Sequence, residues 1–242
     1  MNGARAQSPI WTLLGRDKGA QVRSMFERIA PSYDRVNAVM TLSADQRWRS
    51  SAVELLELHE GDTALDLCCG TGDFVKCLRQ RVGSLGRIVG LDFAAPMLEI
   101  ARRKPGAEAL YLGGDAQSIP CASESFDAVT VGWGIRNVSD IDRVHREIVR
   151  VLKPGGRFVS VDTALPVNRF VRACSRLVCR AVVTVLGALA GNVAAYRYLH
   201  ESTASFKSRE ELTRSMRLAG FQTTGHVDRL FGNICIHWGR KP

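Results

Sequence analysis

The chain has 242 residues, 45% of them hydrophobic and 24% charged, the composition of an ordinary soluble globular protein and enough for one α/β domain with additions. Its formal net charge of +9 points to an acidic partner, either anionic lipid or nucleic acid. No apolar stretch follows the early basic residues, which argues against a secretory signal; the seven cysteines form no CxxC pair and no Cys/His cluster of zinc spacing, so no metal site is expected and they read as reduced thiols of a cytosolic protein.

Residues 1–18 read as a tail. Helices are expected over Ala20–Ile29, interrupted by Ala30-Pro31, then Ser32–Met40 and Ala44–Leu58, with Ser43 as N-cap of the last. Strand and helix then alternate: strand Thr63–Leu67, helix Phe74–Val82, strand Arg87–Leu91, helix Pro96–Arg103, strand Ala109–Leu112, strand Phe126–Val131 and helix Ile141–Leu152. Lys153-Pro154-Gly155-Gly156 should stop that helix before strand Arg157–Asp162. Such alternation predicts a doubly wound, mostly parallel sheet with helices on both faces. Two late apolar segments, Gln222–Val227 and Ile234–Trp238, complete it as a terminal hairpin and bring the expected strands to seven. Residues 19–242 are read as one domain, with the N-terminal helices as a lid over its crevice and 165–205 as a helical insertion after the fifth strand. In that insertion Arg169, Arg172, Arg176 and Arg180 recur at helical spacing, and an apolar run, Ala181–Ala195, follows; it is too short to span a bilayer. Two readings stand: a surface for an anionic membrane, or a solvated helix face beside a core helix.

The stretch Leu65–Asp73, LDLCCGTGD, carries the most chemical information. A strand, a small-residue turn, a helix and a second strand ending at Asp92 make a nucleoside-binding βαβ unit, in which the carboxylate accepts hydrogen bonds from ribose hydroxyls. A dinucleotide fingerprint needs a third glycine after Gly70 and Gly72, and Asp73-Phe74-Val75 stand there instead. Asp73 at the helix start repels a pyrophosphate and suits a cationic ligand, such as a sulfonium with an amino-acid tail. S-adenosylmethionine fits that description. Strand ends on a doubly wound sheet converge, so Gly70-Thr71-Gly72, Asp92 with Phe93, Asp115 and Gly132 should meet in one crevice. Asp115-Ala116 is placed to read adenine, the carboxylate for the amino group and the Ala116 amide for a ring nitrogen. An Asp after a strand is also a common helix cap.

At this point the chain resembles the UbiE/MenG/Coq5 family, S-adenosylmethionine-dependent C-methyltransferases of quinone biosynthesis with a Rossmann-like fold. The matching segments are FERIAPSYDRVNAVMTL (26–42) with Trp48-Arg49, LDLCCGTGD (65–73), GLDFAAPML (90–98), GDAQSIP (114–120), FDAVTVGWGIRNVSD (126–140), VLKPGGR (151–157), YRYLHESTASF (196–206) and AGF (219–221). The resemblance implies donor contacts at Thr71, Asp92, Asp115 and Ala116. A further contact is usually a serine, whose place Gly132 takes here. It also implies a prenylated quinol as acceptor, and the insertion 165–205 could bring a cytoplasmic enzyme to the inner face of the cell membrane that holds that lipid. VDTALP (161–166) looks more like menaquinone-pathway than ubiquinone-pathway members, which favours demethylmenaquinol over a methoxy-benzoquinol.

Carbon methylation needs an electron-rich ring carbon, which a deprotonated quinol offers and an oxidised quinone does not. The protein must help remove a hydroxyl proton, stabilise the oxyanion and hold carbon and methyl about 3–3.5 Å apart. Arg136 cannot readily lose a proton, so oxyanion stabilisation or orientation of a basic water falls to it. Asn137 could hold the second quinol oxygen, and Asp73 and Tyr33 could form a hydrogen-bonded relay or position the substrate. The structural alternative for Arg136 is a salt bridge tying the fourth strand to the N-terminal helices. Met25, Phe26, Val39, Met40 and Leu42 could line an apolar passage for a prenyl tail, although each alone reads equally well as core. Competing functions are an NAD-linked oxidoreductase, which lacks its third glycine, a donor-binding module without catalysis, and an RNA methyltransferase. The last has the charge but no RNP motif or aromatic stripe, so no nucleic-acid partner is expected. A homodimer stays open.

Overall fold

The computed structural model describes residues 15–178, 198, 202–203 and 206–242, with side chains from 18 onward. Helices α1 (Gly15–Ile29), α2 (Tyr33–Thr41) and α3 (Ala44–Glu54) precede β1 (Thr63–Leu67), α4 (Asp73–Val82), β2 (Arg87–Asp92), α5 (Ala95–Arg103), β3 (Leu110–Gly113) and β4 (Phe126–Gly132). After these come α6 (Ile141–Val151), β5 (Leu152–Thr163), α7 (described over 169–178), α8 (Arg209–Ala219), β6 (Thr223–Arg229) and β7 (Ile234–Arg240). The strands form one seven-stranded sheet in the order β3-β2-β1-β4-β5-β7-β6. All pairs are parallel except those of β7, which runs antiparallel to β5 and β6. This is the doubly wound, mostly parallel sheet expected from the alternation.

Strand side chains alternate between faces, and that period of two splits the core. Ala64, Ala128, Val159 and Val161 join α3 and α4 residues such as Ala52, Phe74 and Leu78 on one side. Leu65, Leu67, Val129, Val131 and Phe158 join Val144, Ile148, Leu212 and Met216 of α6 and α8 on the other. Leu65 and Leu67 are wholly buried, each contributing about 2–3 kcal/mol by removal of apolar surface from water. The β1 strand pairs in parallel with both β2 and β4, and successive strands are added outward in opposite directions from it, so the crevice at its C-terminal end is the natural ligand position.

Several expectations need correction. α1 starts at Gly15, so the stretch read as tail ends inside a helix, and Lys18 is fixed by hydrogen bonds described below. Ser43 caps nothing: its φ is +58°, its side chain makes no cap bond, and with Leu42 (φ +50°) it forms a left-handed corner that Thr41 closes by donating to Asp45 Oδ1 at 2.9 Å. α3 ends at Glu54 rather than Leu58. The Lys-Pro-Gly-Gly run does not separate helix from strand. Helix α6 passes at Leu152 directly into β5, whose register against β4 jumps from Phe126↔Leu152 to Ala128↔Arg157, so the run is a bulge with Gly155 at φ +75°. α8 goes beyond the elements read from the sequence, although Ser208 and Glu211 make a reciprocal capping box and Gly220 closes the helix at φ +113°. Arg180 and the apolar run Ala181–Ala195 lie outside the described residues.

α6 and α8 are joined by a buried polar link. Ser215 Oγ donates to Asp142, and His145 Nδ1 meets Ser215 Oγ at 2.7 Å while its ring packs edge-on against Phe158 at 5.9 Å. Burial lowers the imidazole pKa of His145 and of His237 to about 4, from 6.5. A histidine held neutral in the fold binds its proton first in the unfolded chain. Each therefore contributes stability that is complete above pH 6.5 and is lost toward pH 4, about 3 kcal/mol apiece. Urea unfolding at pH 7.5 and 4.5 should show this, and His145→Gln should remove roughly half of the drop; an unchanged pH dependence in that variant counts against the assignment.

Candidate active site

The turn after β1 is made of backbone that favours glycine: Cys68 at φ +58°, Gly70 at +52° and Gly72 at +81°. The two glycines differ in their reason. A Cβ at Gly72 would lie 2.6 Å from Tyr111 Oη and 3.3 Å from Ala101 Cβ, so Gly72 lets the helix start pack on its neighbours. A Cβ at Gly70 would meet nothing within 4 Å, so that backbone faces open space where a ligand can approach. Gly72→Ala should destabilise by about 2–4 kcal/mol and Gly70→Ala by about 1 kcal/mol, read from denaturant midpoints. Equal losses would show that strain alone, not packing, governs the turn.

Asp92, at the end of β2, is buried, and burial raises its pKa. Its oxygens accept from Gly70 N and Ala94 N, both at 2.9 Å, which leaves each with a lone pair for ribose hydroxyls. Asp115 is exposed beyond β3, and its Oδ1 accepts from Gln117 N at 2.9 Å, while Ala116 is buried and Gly114 N donates to Asp92 O at 3.0 Å. Asp115 and Ala116 thus follow β3 close to the C-terminal end of β2. Phe93 packs against the cluster of Val22, Met25 and Tyr198. At Gly132 a Cβ would lie 2.8 Å from the Phe74 ring, so the aromatic ring fills the room a serine side chain would need.

A pocket at the turn brings Tyr33, Gly70, Thr71, Asp73 and Gly132 together, and adds Arg49, Asp66, Cys68, Cys69 and Phe74. Burial pushes both Cys68 and Cys69 thiols well up, so they stay protonated. Asp66 is the informative addition. It is 1% exposed, its Oδ1 accepts from Thr130 Oγ1 at 2.8 Å, and its Oδ2 is buried without a partner among the described residues. Desolvation pushes its pKa up to about 7. Burial also raises the Tyr33 phenol, which therefore remains a donor at neutral pH.

The N-terminal helices close over this turn. Arg49 of α3 is ion-paired to Asp45, lies 3.7 Å from Asp73 Oδ2 and stacks 4.7 Å from the Trp133 ring centroid. Lys104, at the end of α5, reaches Asp34 Oδ2 at 2.6 Å, Asp73 Oδ1 at 2.8 Å and Thr71 Oγ1 at 3.0 Å; Thr71 in turn donates to Asp34 Oδ1 at 2.5 Å. Asp73, expected as a relay with Tyr33, is ion-paired with Arg49 and Lys104. Arg49, Asp34, Lys104 and Asp66 receive no role from sequence; Arg49, Asp34 and Asp66 stand within the matched segments, whereas Lys104 lies outside all of them. Met25 is buried and Phe26 packs beside it, whereas Val39 and Leu42 are exposed, so the five apolar residues expected to line one passage diverge.

Arg136 lies in a single 3-10 turn, Ile135–Asn137, just past β4. Its guanidinium is buried and paired with Asp162 at the end of β5, so the bridge runs to a neighbouring strand and not to the N-terminal helices. The tie to those helices is made instead by Lys18, whose ammonium donates to the carbonyls of Arg136 (3.2 Å) and Val138 (2.9 Å). Asp162 also accepts from Thr163 N at 2.8 Å. Arg136 Nε is buried without a hydrogen-bond partner among the described residues. Asn137 donates to Trp133 O at 2.8 Å and accepts from Tyr198 Oη at 2.9 Å, which leaves one amide N–H.

These features fit S-adenosylmethionine. An open glycine backbone, a buried carboxylate with an unmet oxygen for a cation, and a carboxylate for ribose converge, and no phosphate cradle of successive glycines is present. Among solved structures, the [4+2]-cyclase SpnF superposes with a TM-score of 0.67 at 20% identity, covering 92% of this chain and 95% of that one. A SAM-dependent methyltransferase from Aquifex aeolicus gives 0.60 at 18%, covering 80% and 89%. These show the fold alone. A demethylmenaquinone methyltransferase of Desulfitobacterium hafniense is 37% identical over 99% of this chain and 97% of its own length. A 2-phytyl-1,4-naphtoquinone methyltransferase of Thermosynechococcus vestitus is 40% identical over 91% and 99%. Residues 15–241 match the profile of the ubiE/COQ5 methyltransferase family, and with relatives this similar over nearly their whole length, the chain belongs to that family.

Proposed function

We propose that this methyltransferase moves a methyl group from S-adenosylmethionine to a ring carbon of a prenylated naphthoquinol, converting a demethylmenaquinol to a menaquinol. The observation that carries the reading is Arg136: a buried, braced guanidinium with an unmet Nε, one turn from the cofactor crevice. When bound, the donor supplies an electrophilic methyl on a sulfonium. Arg136 receives the quinol oxygen as it loses its proton, and Asn137 offers its remaining N–H to the second oxygen. Tyr33, kept protonated, donates within the pocket, and the closed N-terminal helices exclude water. Across the whole reaction, the methyl that the donor would supply replaces one ring hydrogen, which leaves to solvent as a proton; the thioether would be the leaving group and the hydroxyl regains its proton from solvent.

The names of the relatives support a bicyclic acceptor: several are demethylmenaquinone methyltransferases and one acts on a phytyl-naphthoquinone. Peripheral contact with an anionic membrane is supported by Arg169, Arg172 and Arg176 on α7 beside exposed Phe170, Leu177 and Val178. Among the described residues no helix is long and apolar enough to cross a membrane. Incubation with a 2-prenyl-1,4-naphthoquinol, with and without reductant, tests the reaction. Methylation of the reduced acceptor only is expected; methylation of a benzoquinol in preference would move the reading to ubiquinone precursors, and of neither would end it.

A further inference from the structure

Thr71 and Lys104 hold a carboxylate between a hydroxyl and an ammonium, and the carboxylate in place is Asp34 of the lid. The two donors stand on fixed elements. Thr71 is 2% exposed on the cofactor turn, and the Lys104 side chain is 11% exposed at the end of α5. The carboxylate they hold does not: the Asp34 side chain is 39% exposed, and α2 buries none of its residues. The pocket that Tyr33 and Arg49 leave above Asp66 and the turn is about 20 Å³, room for a single water, so the amino-acid end of a ligand fits at the turn only as the lid lifts and carries Asp34 away. Lifting it would leave Thr71 and Lys104 with an unmet hydroxyl and a partly uncompensated ammonium, since Asp73 keeps only part of that charge.

We infer that Thr71 and Lys104 form the subsite for the α-carboxylate of the methyl donor's amino-acid tail, and that Asp34 is its intramolecular stand-in. The exchange is one carboxylate for another, so the charge at the turn is conserved and its cost is small. This assignment rests on the S-adenosylmethionine reading and adds to it a residue, Lys104, that reads one functional group of the ligand. It also makes the lid a competitor: closed without ligand, it satisfies the same donors that the ligand satisfies.

The test compares S-adenosylhomocysteine with its decarboxylated analogue, which keeps the adenosine, thioether and ammonium but lacks the carboxylate, by titration calorimetry on the full chain. The intact ligand should bind more tightly than the analogue. Lys104→Met should reduce the preference for the intact ligand over the analogue by about 10- to 100-fold, the loss of a charge-assisted hydrogen bond to the carboxylate. Asp34→Ala should keep that preference and bind both ligands as tightly as the parent or more tightly, because it removes the competitor that each must displace. Should Lys104→Met lose its cooperative thermal transition, Thr71→Val carries the same comparison. An unchanged preference for the intact ligand in Lys104→Met, or a loss of the intact ligand in Asp34→Ala, overturns the subsite while leaving the donor assignment standing. If the parent protein binds neither ligand, the donor assignment itself falls.

Discussion

Arg136→Ala should reduce turnover by about 10²–10³-fold, with donor affinity changed by less than about threefold, because it removes a fixed donor from the developing oxyanion and leaves the β1 turn intact. The paired carboxylate of Asp162 offsets the guanidinium charge, so what Arg136 offers is chiefly direction: one buried N–H aimed without a partner. Lysine cannot reproduce that fork, so Arg136→Lys should recover little. Removing the guanidinium also strands a buried carboxylate, at about 3–5 kcal/mol of stability. Activity must therefore be measured below the unfolding transition. A double substitution, Arg136→Met with Asp162→Leu, replaces the pair by apolar groups and should restore much of the stability without the turnover. Recovery of turnover together with stability would reduce Arg136 to a structural brace.

Binding of the methyl donor should release a proton at and below pH 7, and donor affinity should fall as pH drops, approaching about tenfold per unit. The cause is Asp66, whose burial lifts its pKa from 3.8 to about 7 and whose Oδ2 is unmet. A folded-state pKa above the unfolded value means that Asp66 adds stability while protonated and that this is lost as pH rises through about 7. A cationic ligand favours the ionised carboxylate, so it lowers that pKa and expels the proton where the free protein still holds it. Calorimetry at pH 6.5 in buffers of different ionisation enthalpy counts the protons. Asp66→Asn should bind more weakly and without this pH dependence. An unchanged proton count in that variant would place the linkage elsewhere, with Asp92 the next group to examine because burial raises it too.

The ligand turn was legible because its chemistry is local: strand, glycine positions and Asp73 occupy consecutive residues, and Asp92 follows at the spacing one helix and strand impose. The capping box at Ser208 was equally explicit, and α8 could have been read from it. Ser43 misled because a cap residue type does not fix backbone conformation, and two adjacent left-handed residues there turn the chain before the helix begins. The Lys-Pro-Gly-Gly run misled for the opposite reason. Its breaker residues suit a stop, yet β4 and β7 offer enough pairing to carry the strand through it as a bulge.

The sequence by itself determined the doubly wound sheet, the nucleoside-type turn and the placement of Thr71, Asp92, Asp115 and Arg136 at strand ends, because periodicity and turn chemistry are properties of neighbours along the chain. Only the tertiary structure decided that Arg136 pairs with Asp162, that Lys18 anchors its turn, that Asp66 is left with an unmet oxygen, and that Asp34 and Lys104 meet over Thr71. Those residues lie far apart in the chain, and charge pairing between distant groups depends on which elements the core brings into contact, something no local spacing encodes.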